Sequence, residues 1–303
     1  MLPARINALL EPFLNVGASL SPTQLDQIST YLDLLQRWNA RINLTAIRKE
    51  EGIIPRHFGE SFFLARHLFS NAKSGNLLSS QQMESQPIAS TVSSIPSDSS
   101  LDARGSKLVA QSSKLEAQSS QLEAQSSQLV ARSSKLVTDL GSGAGFPGLP
   151  LKIYAPEIHL TLIESNHKKA AFLREVVRAL ALSNVNVIAA RAEALISCRE
   201  ATQPSESKGS ALTSPAVPLA DVVTFRAVEN FARILPVAAR LLSPVGRLAL
   251  LIGAAQQPEL HNLPAYRWQA HKLPNSQTRL LVIGQVGNTP NKRRPGIYDL
   301  KSI

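Results

Sequence analysis

The stretch that decides the fold of this 303-residue chain is Asp139-Leu140-Gly141-Ser142-Gly143-Ala144-Gly145-Phe146-Pro147-Gly148. It follows the apolar residues 136–140, which predict a short strand, and it precedes a segment that predicts a helix. Glycines let the backbone turn sharply and approach a ligand without a clash at Cβ. A strand, a glycine loop and a helix in this order predict a ligand site outside the carboxyl ends of a parallel sheet.

Two classes of ligand fit this loop. Gly143, Gly145 and Gly148 match the dinucleotide pattern G-x-G-x-x-G. Asp139, Gly141 and Gly143 match D-x-G-x-G, which is typical of enzymes that use S-adenosylmethionine. A pyrophosphate prefers bare amides at a helix N-terminus, where a carboxylate is unfavourable. The ammonium group of S-adenosylmethionine can instead meet the Asp139 carboxylate, directly or through water, so the loop favours this cofactor.

Two later positions are expected beside an adenosyl group. Glu164 ends the second predicted strand, ahead of Ser165 and Asn166, and its carboxylate can accept both ribose hydroxyls, as it also would from a nicotinamide cofactor. Ala192 and Glu193 follow the third predicted strand, where they would face the adenine ring. The alternatives are a solvated acid at a strand end and an ordinary helix start with an acid in its first turn.

Strands alternate with helices beyond the loop. The predicted strands are 136–140, 159–163, 184–189, 221–225, 247–252 and 279–286. Helices are predicted up to Tyr154, over 168–182 and over 231–242. This alternation predicts an α/β fold with a doubly wound, mostly parallel sheet.

The rest of the chain divides by composition. Residues 1–70 predict a helical N-terminal cap, in which Ser21 and Pro22 begin a helix with one apolar face. Residues 71–134 are rich in Ser and Gln, and leucine recurs at 108, 115, 122, 129 and 136. Alanine lies two positions after leucine in this repeat, whereas a coiled-coil seam needs offsets of three and four. We interpret 71–134 and 199–219 as flexible insertions, the second within the domain formed by 135–303.

The bulk properties narrow the class of partner. A net charge of +10 predicts a polyanionic partner such as nucleic acid. The single cysteine, Cys198, excludes an internal disulfide. No run of about 18 apolar residues predicts a membrane span. We therefore expect a cytoplasmic monomer with neither a membrane partner nor a metal site.

Four further motifs accompany the loop. They are Asn43-Leu44-Thr45 after a helix that contains Trp38, then Arg56-His57, Glu60-Ser61 and Phe225-Arg226-Ala227. With the Gly-Phe-Pro-Gly end of the loop, this order resembles the ribosomal small-subunit RNA guanine-N7 methyltransferases, also called the glucose-inhibited division protein B family, over about 1–69 and 136–290. The resemblance implies a Rossmann-like, seven-stranded methyltransferase domain with a helical cap. It also implies methyl transfer from S-adenosylmethionine to 16S ribosomal RNA, in the small subunit or an assembly intermediate.

The resemblance also implies roles for individual residues. It places Gly141, Phe146, Ala192, Glu193 and Arg226 at the cofactor, and Glu164, Ser165 and Asn166 on the ribose side. Asp139, Gly143 and Gly145, which the loop chemistry indicates, complete the expected cofactor site. Arg226 is the expected catalytic residue, because a guanidinium offers a planar donor fork to guanine O6 or to a phosphate. A structural ion pair is the alternative for Arg226. The expected RNA contacts are Arg56, His57, Lys292, Arg293 and Arg294, although a histidine like His57 is more often packed and hydrogen-bonded.

One position departs from the family pattern. Ile252 stands before Gly253, where family members often carry a lysine. This favours a second hypothesis, an inactive RNA- or protein-binding module on the same fold. A third hypothesis is a small-molecule methyltransferase, which the net charge of +10 disfavours. A nicotinamide dehydrogenase is a distant fourth hypothesis, because the sequence shows no Ser/Tyr/Lys group for hydride transfer.

Overall fold

A computed structural model of the chain describes residues 3–69, 134–201, 217–226 and 230–287. Its strands are β1 (Leu136–Leu140), β2 (His159–Ile163), β3 (Val185–Ile188), β4 (Ala220–Arg226), β5 (Leu242–Gly253), β6 (Tyr266–Lys272) and β7 (Arg279–Val286). They form a seven-stranded sheet in the order β3-β2-β1-β4-β5-β7-β6. The first five strands run parallel, and β7 pairs antiparallel with both β5 and β6. The predicted α/β fold with a mostly parallel, doubly wound sheet is confirmed.

The sequence pattern identified six of these strands and missed β6. Exposed and half-buried residues alternate along β6, because it lies at the edge of the sheet. Tyr266 and Trp268 stack on one of its faces with ring centroids 5.6 Å apart. Aromatic residues at every second position are a strand signal that could have revealed it.

Helices cover both faces of the sheet. The cap contains α1 (Pro3–Leu10), α2 (Pro22–Asn39), α3 (Glu50–Ile53) and α4 (Glu60–Phe69), with a π-helical turn at Ile54–Gly59 between the last two. The helices that alternate with strands are α5 (Gly148–Tyr154), α6 (His167–Ala179), α7 (Ala192–Ala201) and α8 (Phe231–Arg240). Short 3₁₀ helices span Glu11–Phe13 and Ala254–Asn262.

The predicted start of α2 is confirmed. Ser21 Oγ accepts a hydrogen bond from Gln24 N at 3.2 Å, and Gln24 Oε1 accepts one from Ser21 N at 2.9 Å. This capping box satisfies two backbone donors at the start of the helix. The apolar face of α2 packs in the same buried cluster as Val222 of β4 and Ala249 of β5, so the cap shares a core with the sheet. The opposite face of the sheet packs in a second cluster with α8.

The described residues up to 69 and from 135 onward belong to one compact unit. Residues 70–133 and 202–216 lie outside the described residues, so the predictions for them are untested. The predicted start of the second insertion at 199 is too early, because α7 continues to Ala201. At the boundary, Lys135 Nζ and Arg247 Nη2 donate to the Leu68 carbonyl at 3.2 and 3.4 Å. Cations at a helix C-terminus are stabilising. The end of α4 therefore lies at the amino end of β1.

Candidate active site

The residues expected to hold the cofactor meet at one edge of the sheet, the edge formed by the carboxyl ends of its parallel strands. Because β3, β2, β1 and β4 are parallel neighbours, their carboxyl ends point the same way. The glycine loop follows β1, Glu164 follows β2, Ala192 begins the helix after β3, and Arg226 ends β4. The structure thus brings together residues that are far apart in the sequence.

Three glycines shape the loop. Gly141, Gly143 and Gly145 have φ angles of 62°, 57° and 88°. In this region an L side chain costs about 1–2 kcal/mol. Gly145 is also closely packed, since a Cβ added there would strike the Tyr31 hydroxyl and the Leu149 side chain. Gly145 is therefore required both by its backbone conformation and by its neighbours.

Asp139 lies beneath the loop and is fully buried. Its Oδ2 accepts a hydrogen bond from Gly148 N at 3.2 Å, while Oδ1 has no partner among the described residues. Burial raises the pKa of Asp139 to about 7, although the Gly148 N–H and the Arg226 guanidinium both oppose this rise. A buried carboxyl with an unused acceptor fits a nearby ammonium, which would stabilise its charged form.

Glu164 connects the loop to the next helix. Its Oε2 accepts from Gly143 N and its Oε1 from Asn166 N, both at 2.8 Å. Asn166 then caps α6 by accepting from Lys168 N at 3.0 Å and Lys169 N at 3.2 Å. A carboxylate has about four acceptor sites, so Glu164 retains capacity for ribose hydroxyls.

Ala192 and Glu193 lie in the first turn of α7, beyond β3. Ala192 is buried, and Glu193 Oε1 lies 3.7 Å from Arg233 Nε. Both side chains of this ion pair are largely exposed, so the pair contributes no more than about 1 kcal/mol. The position is compatible with an adenine contact and with an ordinary acidic helix start.

A stack of three rings, here called the aromatic column, joins the cap to the loop. Phe146 lies between Tyr31 and His57, with ring centroids 5.2 and 4.7 Å away and planes inclined by 4° and 20°. Phe58 meets Phe146 edge-on at 5.2 Å. The Tyr31 hydroxyl donates to the Ala144 carbonyl in the loop. Such ring pairs contribute about 0.5–1.5 kcal/mol beyond burial, so the cap helps to fix the loop.

Arg226 reaches from the end of β4 into the cap. Its Nη1 donates to the Arg56 carbonyl at 3.0 Å, and its Nη2 donates to His57 Nδ1 at 2.7 Å. Its Cζ lies 5.3 Å from the centroid of the Phe146 ring. Burial, followed by the charge of Arg56, lowers the pKa of Arg226 to about 10, so the side chain stays charged at neutral pH. A guanidinium has five N–H donors, and three remain after these two bonds.

His57 is an interior residue with both ring nitrogens engaged. It is 7% exposed, and its Nε2 lies 2.8 Å from Thr45 Oγ1. Burial, followed by the charges of Arg226 and Arg56, lowers the pKa of His57 to about 2. This corrects the expectation of an RNA contact at His57, because a packed, neutral ring whose two nitrogens are both bonded within the protein offers nothing to a phosphate.

A buried carboxylate holds two further arginines beside Arg226. Glu60 is fully buried and forms ion pairs with Arg56 and with Arg279, the first residue of β7. Burial raises the pKa of Glu60, and the two arginines oppose this. Glu60 carries one negative charge against these two arginines, whose side chains are 27% and 31% exposed.

The residue that departs from the family pattern, Ile252, is buried on one face of the sheet. Ile252 is 3% exposed and packs in the apolar cluster that contains α8. The next residue, Gly253, pairs across the sheet with Arg279. Arg279 therefore lies on the opposite face of the sheet from Ile252, where it pairs with Glu60 of the cap, so it does not take the place of a lysine at 252. Arg279 was not among the residues predicted from the sequence, because only the sheet register brings it beside Glu60.

Comparison with known proteins decides the family. The family model for rRNA small subunit methyltransferase G, called GidB, matches residues 24–77 and 122–285. The chain belongs to this family. The ribosomal RNA small subunit methyltransferase G of Stenotrophomonas maltophilia (strain K279a) is 32% identical over 289 residues, which are 94% of this chain and 93% of the relative. That of Xanthomonas campestris pv. campestris (strain B100) is 30% identical and covers 87% and 85%.

The methyltransferase G match spans both the cap and the sheet, which confirms the family that the motifs resembled. Its gap at residues 78–121 lies inside the stretch interpreted as an insertion. Among solved structures, a SAM-dependent methyltransferase from Aquifex aeolicus is 16% identical with a TM-score of 0.36, and the match covers 50% of this chain and 82% of that chain. In the described part of the chain, no helix is long and apolar enough to cross a membrane.

Proposed function

We propose that this chain transfers a methyl group from S-adenosylmethionine to N7 of a guanine in 16S ribosomal RNA of the small subunit. The observation that carries the proposal is the meeting of the D-x-G-x-G loop, Glu164 and Arg226 at one sheet edge, in a member of the methyltransferase G family. The reaction needs no general base, since guanine N7 has an in-plane lone pair and no proton to remove.

The residues at this edge fit the proposed cofactor. When bound, S-adenosylmethionine supplies an electrophilic methyl group. Asp139, with its unpartnered Oδ1, suits the ammonium group, and Glu164 suits the ribose hydroxyls. The remaining residues proposed to line the cofactor are Gly141, Gly143, Gly145, Phe146, Ser165, Asn166, Ala192 and Glu193.

Arg226 is proposed to orient the guanine. Two of its donors are committed to Arg56 and His57, which fix the guanidinium plane, and the others can meet guanine O6 or a phosphate. Since no proton transfer is needed, orientation and electrostatic stabilisation are the contributions left for the protein. A partly buried arginine holds its orientation better than a solvated one. Its charge also interacts more strongly with the substrate, because less water screens it.

Exposed cations beside this edge support RNA as the partner. Arg41, Arg48 and Lys49 are exposed on the loop that carries Thr45, which touches His57. Phosphate contacts by such side chains release counterions, so RNA binding should weaken steeply with salt. The basic residues Lys292, Arg293 and Arg294 remain proposed RNA contacts, and they lie outside the described residues.

Methyl-labelled S-adenosylmethionine and small subunits lacking native methylation test the proposal. We expect labelled 7-methylguanosine in the 16S RNA and its loss in Arg226→Ala. Arg247→Ala is the matched control. The Arg247 side chain also extends from a strand and donates to a backbone carbonyl, but it does so near the amino ends of the parallel strands. No label from the unchanged chain, with cofactor binding intact, would exclude this substrate.

Salt dependence separates RNA from a small methyl acceptor. We expect Arg41→Gln with Lys49→Gln to lower the slope of log affinity against log salt by roughly 0.7–0.9 for each phosphate that the variant no longer neutralises. The double variant Arg174→Gln with Arg178→Gln removes two exposed charges from α6 and should leave the slope unchanged. Equal slopes in all three proteins would argue against RNA contacts on this loop.

A further inference from the structure

We infer that His57 is a positioning residue: as a neutral imidazole with its proton on Nε2, it aims the Arg226 guanidinium at the site edge. The inference rests on the proposed function, because it concerns the residue proposed to orient the guanine. It assigns to His57 a role inside the protein rather than at an RNA surface.

The partners of His57 determine where its proton lies. A guanidinium can only donate, so His57 Nδ1, 2.7 Å from Arg226 Nη2, must accept and carries no proton. The proton of a neutral ring is then on Nε2, which donates to Thr45 Oγ1 at 2.8 Å. A protonated ring would set an N–H against the N–H of Arg226.

Thr45 is prepared to receive this proton donor. Its Oγ1 also accepts from Ile47 N at 3.2 Å, so both acceptor lone pairs of the hydroxyl are used. Asn39 fixes the backbone here, since its Oδ1 accepts from Leu44 N at 2.8 Å and Thr45 N at 3.0 Å. Asn39 Nδ2 donates back to the Thr45 carbonyl at 2.9 Å. The hydroxyl therefore cannot easily move away from His57.

The surroundings keep His57 in this one state. Burial disfavours protonation of the ring, and among the described residues so do the charges of Arg226, Arg56 and Arg279. The ring is also stacked on Phe146 at 4.7 Å, which fixes its plane. His57 is therefore a constant acceptor near neutral pH and not a pH switch.

The geometry of Arg226 depends on two fixed points. The Arg56 carbonyl bonds one nitrogen, and His57 Nδ1 bonds the other. With both bonds present, the guanidinium plane is set. With the Arg56 carbonyl alone, the plane can turn about a single bond, and misplacement of about 1 Å can cost on the order of a hundredfold in rate.

Two amide substitutions at His57 separate its nitrogens. The side-chain amide of His57→Asn reaches the position of Nδ1 and can still accept from Arg226. The amide of His57→Gln reaches the position of Nε2 and can bond Thr45 only. Both variants lack the ring that stacks on Phe146, so the loss of packing is shared. The difference between them isolates the contact with Arg226.

The measurement is kcat and KM for small subunits, with cofactor affinity and unfolding followed in parallel. We expect His57→Gln to lower kcat by roughly tenfold to a hundredfold relative to His57→Asn, with similar cofactor affinity and stability. If the two variants lose kcat equally, the positioning role is refuted while the proposed function stands. If the unchanged chain forms no 7-methylguanosine, the proposed function fails and this inference fails with it.

A second pair of variants covers the case in which neither His57 variant folds. Thr45→Val removes the acceptor for Nε2–H and frees the ring to change tautomer, whereas Thr45→Ser keeps the hydroxyl. We expect Thr45→Val to lower kcat and Thr45→Ser to restore most of it. Equal kcat in both would overturn the inference.

Discussion

Tyr31 of α2 and Phe146 of the glycine loop lie face to face, with ring centroids 5.2 Å apart and planes inclined by only 4°. The Tyr31 hydroxyl also bonds the Ala144 carbonyl in the same loop. A helix of the cap therefore shapes the loop proposed to bind the cofactor, although 113 positions separate the bonded residues. Damage to the cap should consequently appear as damage to the site.

Tyr31→Phe should keep the ring stack and remove the hydroxyl. Because the Ala144 carbonyl would be left without this donor in a buried place, we expect the free energy of unfolding to fall by about 1–3 kcal/mol. Urea denaturation measures the change. Tyr31→Leu should cost more, because it also removes the stack on Phe146. A cost no greater for Tyr31→Leu would mean that the stack contributes nothing.

Gly145→Ala should destabilise the loop beyond the cost of its backbone conformation. Gly145 has a φ of 88° and lacks space for a Cβ, whereas Gly17 has a φ of 75° and nothing within 4 Å of an added Cβ. Gly17→Ala is thus a matched control that costs only about 1–2 kcal/mol. We expect Gly145→Ala to exceed this in denaturant unfolding and to weaken cofactor binding. Equal costs would contradict the close packing at Gly145.

Glu60→Gln should be strongly destabilising, because it leaves Arg56 and Arg279 without their shared carboxylate. Breaking a buried pair costs about 3–5 kcal/mol, and the partial exposure of both arginines places the expected value near the lower end. Glu51→Gln breaks the exposed pair with Arg5 and should cost no more than about 1 kcal/mol. Calorimetric unfolding of both variants measures the two losses of unfolding free energy. Similar losses would show that Glu60 and its two arginines are not buried in solution.

Asp139→Asn should change how stability depends on pH. Between the ordinary pKa of 3.8 and the folded value of about 7, the unfolded chain releases a proton that the folded chain keeps. The free energy of unfolding contributed by Asp139 therefore falls as the pH rises through this window and is level above it. An asparagine has no such dependence, so the variant should gain stability relative to the natural chain as the pH rises.

Denaturation at several pH values between 4 and 8 measures this gain. The difference between the two proteins should grow by up to about 4 kcal/mol. His57 acts in the opposite direction below its ordinary pKa, but it is common to both proteins and cancels in the difference. Asp33→Asn, on the exposed face of α2, controls for the loss of one carboxyl. A difference that stays constant with pH would mean that Asp139 is ionised in the folded chain.

Local patterns predicted the elements around the loop well. The bounds of β1, β2 and β7 were predicted correctly, because apolar runs end there at glycines or charges. The start of β5 was predicted wrongly. This strand begins at Leu242, which pairs with Ala220 across a register shift that no local pattern reveals. The position of Arg226 at the end of β4 was predicted from the resemblance and from strand spacing together.

The contacts between the cap and the loop could not be predicted in this way. Tyr31 lies on the apolar face predicted for the cap helix that begins at Ser21 and Pro22, and Thr45 lies in a family motif. Neither pattern indicates a contact with the loop or with His57. Whether His57 is exposed depends on Phe146 and Arg226, which are brought against it by long-range packing. Burial and partner choice are decided by the folded chain, so a histidine next to an arginine was interpreted as a surface pair.

The connection between α4 and β1 leaves and re-enters the described chain where Lys135 donates to the Leu68 carbonyl, a corner at the amino end of β1 and away from the proposed active site. The five residues of β1 separate this corner from Leu140, which at about 3.3 Å per residue is a distance of ~16 Å. An evolving gene can therefore lengthen or shorten the connection between α4 and β1 without displacing the loop that follows Leu140. The same corner is a suitable place to insert an affinity tag or a fluorescent reporter domain.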